Sequence, residues 1–229
     1  MAKTLNQIAD SIKIDLKVFI DNHWLANLDE FLIDKIQGIN QTLMRQEFKN
    51  NGFIDDLFYQ EHNCLEVECV TNSCDISGVT FTFKGELHKV EFPRLLSGIG
   101  DANIKYFGRH DMSHPIPRTT FDGLLAMDYK RYSSNMCVCA ILGQYALIKN
   151  LPKGISLLKL IALFHNPADA CSYVEDETPY PTTSEYQLEL LVKKDLLSTW
   201  NIPFEERNDT TGKITLIPKQ PVQQEENGQ

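Results

Sequence analysis

The sequence predicts an α+β protein, and three patterns along the chain support this. Apolar residues recur every three or four positions in the first fifty residues and again near residue 190, as in amphipathic helices. Between these regions, apolar and polar residues alternate, as in half-buried strands. The last nineteen residues contain few apolar side chains. We therefore expect an N-terminal helical hairpin, a β-rich middle, a C-terminal helix that completes a bundle, and an extended C-terminal arm.

These patterns divide the chain into four parts. Residues 1–60 form the N-terminal helical part, and residues 61–174 form the β-rich part. Residues 175–207 contain an acidic linker and a last helix, which packs on the N-terminal helices. Residues 208–229 form the extended arm.

Two helices are predicted in the N-terminal part. Thr4 and Gln7 have the spacing of a capping box at the start of the first helix. The second helix should begin near Asn27 and end at residues 50–52, where Asn-Asn-Gly stops it. The apolar stripes of the two helices are Leu5, Ile8, Ile12, Leu16 and Phe19, and then Leu28, Phe31, Leu32, Ile36, Ile39 and Leu43.

The middle of the chain predicts a series of strands and one short helix near residues 121–129. A capping pair, Thr182 and Glu185, should begin the last helix, and Ile202-Pro203 should end it. Ser77-Gly78 and Lys84-Gly85 should interrupt the strand pattern. The expected strands are residues 65–69, 79–83, 86–92, 104–107, 136–142, 144–149 and 156–164.

The charge of the chain limits its partners. The net charge is −9 and the pI is about 5.1, which argues against general binding to nucleic acid phosphates. An acidic surface can still lie beside DNA without adhering to it, because like charges repel. No apolar run approaches the length of a membrane span. The N-terminus has an amphipathic pattern and not a signal peptide's apolar core, so we expect folding in a cytosol.

The six cysteines predict free thiols and neither a metal nor a cofactor. Cys64, Cys69 and Cys74 recur every five residues, with His62 close by, whereas zinc sites usually use tighter pairs. On one strand, Cys64 and Cys69 would face opposite ways. Cys137-x-Cys139 places both thiols on one strand face but lacks the spacing of a redox pair. A metal site in the first group stays open as the less favoured alternative.

No catalytic motif is present: the sequence has no phosphate loop, nucleophile elbow, zinc-protease motif or dinucleotide fingerprint. Arg109-His110-Asp111 with His114 suggests acid–base chemistry, but adjacency in sequence does not create a triad. We expect these residues to be exposed or to brace a polar loop, and we expect the protein not to be an enzyme. An enzyme remains an alternative if a cleft brings His110, His114 and a thiol together.

The C-terminal tail and one helical arginine are candidates for partner contacts. Residues 211–229 cannot bury enough apolar surface to offset their ordering entropy. We expect this tail to order along a neighbouring chain, with residues 213–217 adding a strand to that chain's exposed edge. A tail folded back on its own domain is the alternative. Arg45 either complements the dipole at a helix end or braces a neighbouring subunit.

Several short segments, taken in their order along the chain, resemble one family. The order is similar to that of the virion proteins of crAss-like bacteriophages that form a ring below the portal, which belong with the head-to-tail adaptors of short-tailed phages. The resemblance covers roughly residues 1–200, and nothing beyond Arg207 is matched. The segments are residues 36–46, ending in Arg45-Gln46, then Tyr59-Gln60, residues 64–70, Phe92-Pro93-Arg94, residues 104–108, residues 157–167 and Tyr180-Pro181.

The resemblance implies a structural protein of the virion, assembled in the cytoplasm of the host bacterium. Such adaptors form a closed ring, usually a dodecamer, coaxial with the portal, and they conduct DNA without chemistry. The implied partners are copies of the chain itself, the portal protein, other ring or tail proteins and the passing genome, which is not bound specifically; no membrane is implied. The other class left open, besides an enzyme, is a cytosolic interaction module that binds through its tail. The candidate partner-contacting residues are Arg45, Gln46, Ile214, Leu216, Ile217, Pro218, Pro221 and Val222.

Overall fold

A computed structural model describes residues 2–21, 28–76, 78–127 and 135–219. With 33% helix and 32% strand, the protein is a mixed α and β protein, as predicted. The chain divides into two units. One, the helical unit, combines residues 1–46 with residues 175–229, and the other, the β unit, comprises residues 47–174.

The helices and strands are numbered in chain order over the described residues. The α-helices are α1 (Leu5–Leu16), α2 (Asp29–Asn51), α3 (Phe121–Ala126) and α4 (Glu185–Thr199). The strands are β1 (Gln60–Glu66), β2 (Glu68–Ile76), β3 (Val79–Glu91), β4 (Ile104–Arg109), β5 (Arg118–Thr119), β6 (Val138–Leu142), β7 (Tyr145–Lys149), β8 (Leu157–Ala162), β9 (Phe204–Asn208) and β10 (Ile214–Pro218).

Local side-chain hydrogen bonds set the helix ends. At α1 the predicted capping box is confirmed: the Thr4 hydroxyl accepts from the Gln7 amide, and the Gln7 side chain accepts from the Thr4 amide at 3.1 Å. The cap predicted for α4 at Thr182 is wrong. Ser184 caps that helix by accepting from the Gln187 amide at 3.3 Å, because it directly precedes the first helical residue.

Three helices of the helical unit share one apolar core. Helices α1 and α2 bury most of their predicted stripes, and a fully buried leucine or isoleucine contributes about 1.5–3 kcal/mol. Phe31 departs from the prediction, since it is 42% exposed. Across the described ranges, no helix is both long and apolar enough to cross a membrane. The core includes Leu5, Ile8, Ile12 and Leu16 of α1, Leu32, Ile36 and Leu43 of α2, and Leu188, Val192, Leu196 and Leu197 of α4.

Ion pairs connect the helices around this core. Lys193 of α4 lies 2.6 Å from the Asp15 carboxylate of α1, and Lys35 of α2 lies 2.7 Å from Asp195 of α4. Their carboxylates are about half exposed, so each pair contributes at most about 1 kcal/mol. The apolar contacts therefore hold the helices together, and the ion pairs add to their orientation.

The β unit contains two sheets. The smaller has the order β1-β8-β4 and is antiparallel, and the larger has the order β2-β3-β7-β6-β5, with β5 parallel to β6. One core joins both sheets, since Leu158 and Leu160 of the small sheet cluster with Val90 and Ile148 of the large one. On its other face, the large sheet packs Leu147 and its neighbours against α3.

The single strand predicted at residues 65–69 belongs to two strands in different sheets. β1 ends at Glu66 and pairs with β8, whereas β2 begins at Glu68 and pairs with β3. Only Val67 separates them. Alternation of apolar and polar residues continues across this point, so the sequence pattern contains no signal for the change of sheet.

Gly85 lies inside one long strand and does not end it. The register between β2 and β3 shifts by two residues between Thr71 and Ser73, so that Asn72 of β2 lies opposite residues 83–85 of β3. Gly85 has a φ of +87°, and its amide donates to the Asn72 side chain at 3.4 Å. Glycine adopts this left-handed conformation without a steric penalty, so the predicted interruption is a β-bulge.

The C-terminal tail turns back on its own chain. β9 and β10 pair antiparallel, and we call residues 204–218 the C-terminal hairpin. In its turn, the Asp209 carboxylate accepts from the amides of Thr211 and Lys213, each at 2.8 Å. The prediction of an extended arm from residue 208 is therefore wrong as far as residue 218. Up to that point the tail folds back on its own domain, which was the alternative. Pro221 and Val222, which were predicted to contact a partner, lie outside the described residues.

The C-terminal hairpin is attached to the helical unit. Phe204 and Leu216 pack against its apolar core. The Tyr186 hydroxyl of α4 donates to the Ile214 carbonyl at 2.9 Å and accepts from the Ile214 amide. These contacts supply the apolar burial that residues 211–219 lack on their own.

Two truncations test this attachment. A chain that ends at Asp209 loses β10 and the contacts of Leu216 and Ile214. Its free energy of unfolding should fall by about 2 kcal/mol, because partial leucine burial and several hydrogen bonds are lost. A chain that ends at Lys219 keeps the hairpin and should match the full chain. Urea denaturation followed by circular dichroism measures both, and equal midpoints for the two truncations would contradict the assignment.

Candidate functional site

The loop after β4 contains the residues that suggested acid–base chemistry. The Asp111 carboxylate accepts from the Ser113 hydroxyl at 2.6 Å and from its amide at 3.0 Å. These hydrogen bonds lower the pKa of the Asp111 carboxyl. The Ser113 hydroxyl also lies 2.8 Å from the Nδ1 of His114. The loop closes where Gly108 bridges Pro115.

The order of these groups differs from that of a hydrolytic triad. In a triad, the histidine lies between the acid and the nucleophile and removes the nucleophile's proton. Here Ser113 lies between Asp111 and His114, and its hydroxyl donates to the carboxylate. All three side chains are exposed. This arrangement stabilises a turn and does not activate the serine.

A cavity of about 290 Å³ beside this loop brings a histidine and a thiol to one surface depression. Its lining includes Arg109, His114 and Cys137, together with apolar residues, while His110 is not among the described residues that line it. Burial raises the pKa of the Cys137 thiol. A nucleophilic cysteine needs its thiolate, which a raised pKa disfavours at neutral pH. An enzyme would need His110, His114 and a thiol in one cleft. The lining of this depression includes His114 and the Cys137 thiol, so the condition is met only in part.

A second cluster joins His62, Cys64 and Cys171 on the small sheet. Their ligand atoms all lie within 4.8 Å of one another. His62 is buried, and both cysteines are exposed. The Nε2 of His62 lies 3.5 Å from the Sγ of Cys64. Burial, together with a hydrogen bond to Cys171, raises the pKa of the Cys64 thiol to about 11.

A third cluster lies on the exposed hairpin of β2 and β3. Cys69 is directly opposite His88, and the Nε2 of His88 lies 3.6 Å from a Glu86 carboxylate oxygen. Burial raises the pKa of the Cys69 thiol, and the Glu86 carboxylate adds to this. The three groups are of types that bind metals, but exposed acidic groups such as Glu86 are common without a bound ion. The prediction of no metal stays a prediction.

Arg45 is half-buried on α2, and Gln46 next to it is exposed. Helix α2 continues to Asn51, so Arg45 lies more than one turn before its end. Because the dipole effect is limited to the last turn, the interpretation of Arg45 as a helix-end charge is wrong. Its guanidinium contacts the Gln41 side chain at 3.5 Å. Lys49 occupies the last turn instead.

The backbone of β10 offers little to a neighbouring strand. The Lys213 carbonyl accepts from Asp209, and the Lys219 amide donates to Pro203, so the odd-numbered residues bond across the hairpin. The backbone groups of the even-numbered residues, Ile214, Leu216 and Pro218, therefore point to the outer edge of the hairpin. The Tyr186 hydroxyl already bonds the carbonyl and the amide of Ile214, and Pro218 has no N–H to donate. Addition of a strand here would rely on the backbone groups of Leu216 and the carbonyl of Pro218.

The side chains of β10 divide between its two faces. Leu216 and Ile214 lie on the face that carries Phe204, and Leu216 and Phe204 pack on the helical core. Ile217 lies on the opposite face and is half-buried, while Pro218 is exposed. Ile217 and Pro218 are thus the tail candidates that keep surface for another protein.

Sequence reasoning missed the proximity of Cys64 and Cys171. The two residues lie more than a hundred positions apart, and no motif links them. The nearest signal was His62 beside Cys64, which was noted only as a possible metal ligand. Pairing of β1 with β8, followed by the short turn at Pro167–Asp169, brings Cys171 back to β1.

Comparison of the chain with known protein families finds no matching family, and comparison with curated proteins finds no similar sequence.

Two glycine substitutions test the packing of the Arg109–His114 loop. A Cβ on Gly108 would lie 2.9 Å from the Pro115 Cα and 2.7 Å from the Tyr106 hydroxyl, and it would also clash with the His114 carbonyl. Gly108→Ala should therefore lower the free energy of unfolding by about 1–3 kcal/mol.

Gly38→Ala is the matched control. Gly38 lies inside α2 with nothing within 4 Å of an added Cβ, so alanine should stabilise the helix by about 0.5–1 kcal/mol. Chemical denaturation measures both variants. A Gly108→Ala protein as stable as the wild type would mean that the loop moves aside at no cost.

Proposed function

We propose that this protein is a ring-forming structural protein of a bacteriophage virion, a head-to-tail connector that joins the portal to the tail and forms part of the DNA conduit. The observation that carries the proposal is the resemblance, in order along residues 1–200, to the ring proteins below the portal of crAss-like phages. In this proposal, the chain is an adaptor without catalytic activity, and it uses neither a cofactor nor a metal.

The division of the chain supports this proposal. Adaptors of this kind combine a helical bundle with a β-rich part. Here α1, α2 and α4 share one core, and the β-rich residues 47–174 form a separate unit. We propose that the helical unit is the N-terminal hairpin completed by the last helix. Pro221 and Val222, which lie beyond the described residues, remain candidate contact residues in this proposal.

The charge of the chain supports a conduit role. A net charge of −9 repels DNA phosphates, so a genome could slide past the ring without adhering. The dodecameric state, the portal protein and other ring or tail proteins as neighbours, and the location in the virion after assembly in the host cytoplasm all belong to this proposal.

The candidate contact residues lie at two places within the helical unit. Gln46 is exposed and Arg45 is half-buried on α2. Ile217 lies on the face of the C-terminal hairpin opposite Leu216, and Pro218 is exposed at the end of β10. Since subunits of a closed ring contact one another through two different surfaces, α2 and the hairpin are suited to be the two sides of one heterologous contact.

Electron microscopy of the purified chain, alone and with the portal protein, tests the ring. We expect closed rings with a central opening and a molar mass of about twelve times 26.2 kDa. Arg45→Glu should reduce ring formation without unfolding the chain, because it reverses a charge at the proposed contact. Lys49→Glu, on the last turn of the same helix, is the control. A monodisperse monomer under both conditions would contradict the proposal and favour a single-partner interaction module.

Gel retardation tests the conduit role. The chain should fail to retard duplex DNA even at low salt, where attraction between a basic face and phosphates is strongest. A basic DNA-binding protein in the same gel shows that the assay detects binding. Tight binding that weakens as salt rises would mean that the fold gathers a basic face, which would overturn the idea of a non-adhesive passage.

A further inference from the structure

Strand β1 lies at the edge of the small sheet, and a short segment of the chain returns to it. The Gln60 side chain donates to the Pro167 carbonyl at 3.1 Å, and the Ser172 hydroxyl donates to the Glu61 carbonyl at 2.5 Å. We call residues 167–172 the return segment. Ala170 anchors this segment in the apolar core, and the polar contacts position it along β1.

A β-bulge presents Cys64 to the return segment. The register of β1 against β8 shifts between His62 and Leu65, so β1 has one extra residue there. The Asn63 amide donates to the Sγ of Cys171 at 3.0 Å. Cys64 and Cys171 are both exposed, and their sulfurs lie within 4.8 Å of each other. The two thiols are therefore close and accessible to a small reagent.

The hydrogen bonds of His62 favour a thiol pair over a metal site. The Cys171 backbone amide donates to the Nδ1 of His62 at 3.0 Å. A backbone amide can only donate, so Nδ1 is an acceptor, and the proton of the neutral ring lies on Nε2. Nε2 faces the Cys64 sulfur and has no lone pair for a metal. Histidines that bind metals show the reverse arrangement, in which the other ring nitrogen donates.

We propose that Cys64 and Cys171 form an intrachain disulfide when the protein meets a small-molecule disulfide such as oxidised glutathione. Because the raised pKa of Cys64 disfavours its thiolate, the Cys171 thiolate attacks the reagent, forms a mixed disulfide and releases one glutathione thiolate. The second cysteine thiolate then attacks the protein sulfur of the mixed disulfide and releases the second glutathione. Two protein thiols are oxidised, one glutathione disulfide is reduced, and the two thiol protons end on the two glutathiones.

His62 is the positioning residue for this exchange. It fixes the Cys171 backbone through Nδ1 and faces Cys64 through Nε2, so one ring holds both sides of the pair. The disulfide would attach the return segment covalently to the edge strand. Because it would link positions far apart in the chain, it should also raise the melting temperature, by about 5 °C or more.

Mass spectrometry of the full chain, reduced and then incubated with oxidised glutathione, tests the proposal. The wild-type protein should lose about 2 Da, and a peptide that links Cys64 to Cys171 should appear after digestion without reductant. Cys64→Ser and Cys171→Ser should instead each retain a glutathione adduct of about 305 Da on the remaining cysteine. Cys69→Ser is the matched control: Cys69 is also exposed but clusters with Glu86 and His88 and not with a second thiol, so its replacement should remove any adduct at residue 69 and leave the Cys64–Cys171 link in place.

Three outcomes would overturn the proposal. The first is a stable adduct on the wild-type protein with no loss of 2 Da, which would mean that the sulfurs cannot meet. The second is a disulfide that joins other cysteines. The third is stoichiometric zinc in native mass spectra that protects both thiols from the reagent, which would make the cluster a metal site. His62→Ala should slow closure of the mixed disulfide, whereas a solely structural histidine would change stability and leave that rate unchanged.

Discussion

The helical unit depends on one constraint: its apolar core is assembled from both ends of the chain. Ile8 and Ile12 of α1 and Ile36 of α2 contact the same cluster as Val192 of α4. No one of these helices can bury its stripe alone, since a single amphipathic helix leaves that face in water. The β unit is consequently an insertion within the helical unit, and the C-terminal hairpin is stable because α4 is already in place.

Much of the fold could be predicted from the periods of apolar residues, and the differences have local physical causes. The capping box at Thr4 and strands β6 to β8 followed the patterns directly. The bulge at Gly85 was taken for a break because glycine marks both features. Strand β9 was missed because four of its five residues are polar or charged, and its stability comes from pairing with β10. The cluster at Cys64 needed the register of β1, which the sequence pattern does not contain.

The candidate sites differ in what they can do chemically. The Asp111–Ser113–His114 loop is a braced turn, because the hydroxyl proton goes to the carboxylate. The pair formed by Cys64 and Cys171 can react with disulfides, but it lies on an exposed edge and not in a substrate cavity. Of the tail candidates, Leu216 packs on the chain's own core, and the Ile214 backbone is hydrogen-bonded to Tyr186. A role in assembly therefore depends on surfaces such as α2 and the outer face of the hairpin, which the proposed ring would use.

The insertion of residues 47–174 between two halves of the helical unit has a consequence for synthesis on the ribosome. The β unit contains all of its own strands, so it can fold as soon as residue 174 has left the exit tunnel. The helices α1 and α2 emerge earlier but must wait for α4, with their apolar faces uncovered. During that interval, the nascent chain exposes an apolar helical surface that is prone to aggregate. A chaperone that shields this surface would improve the yield of folded protein.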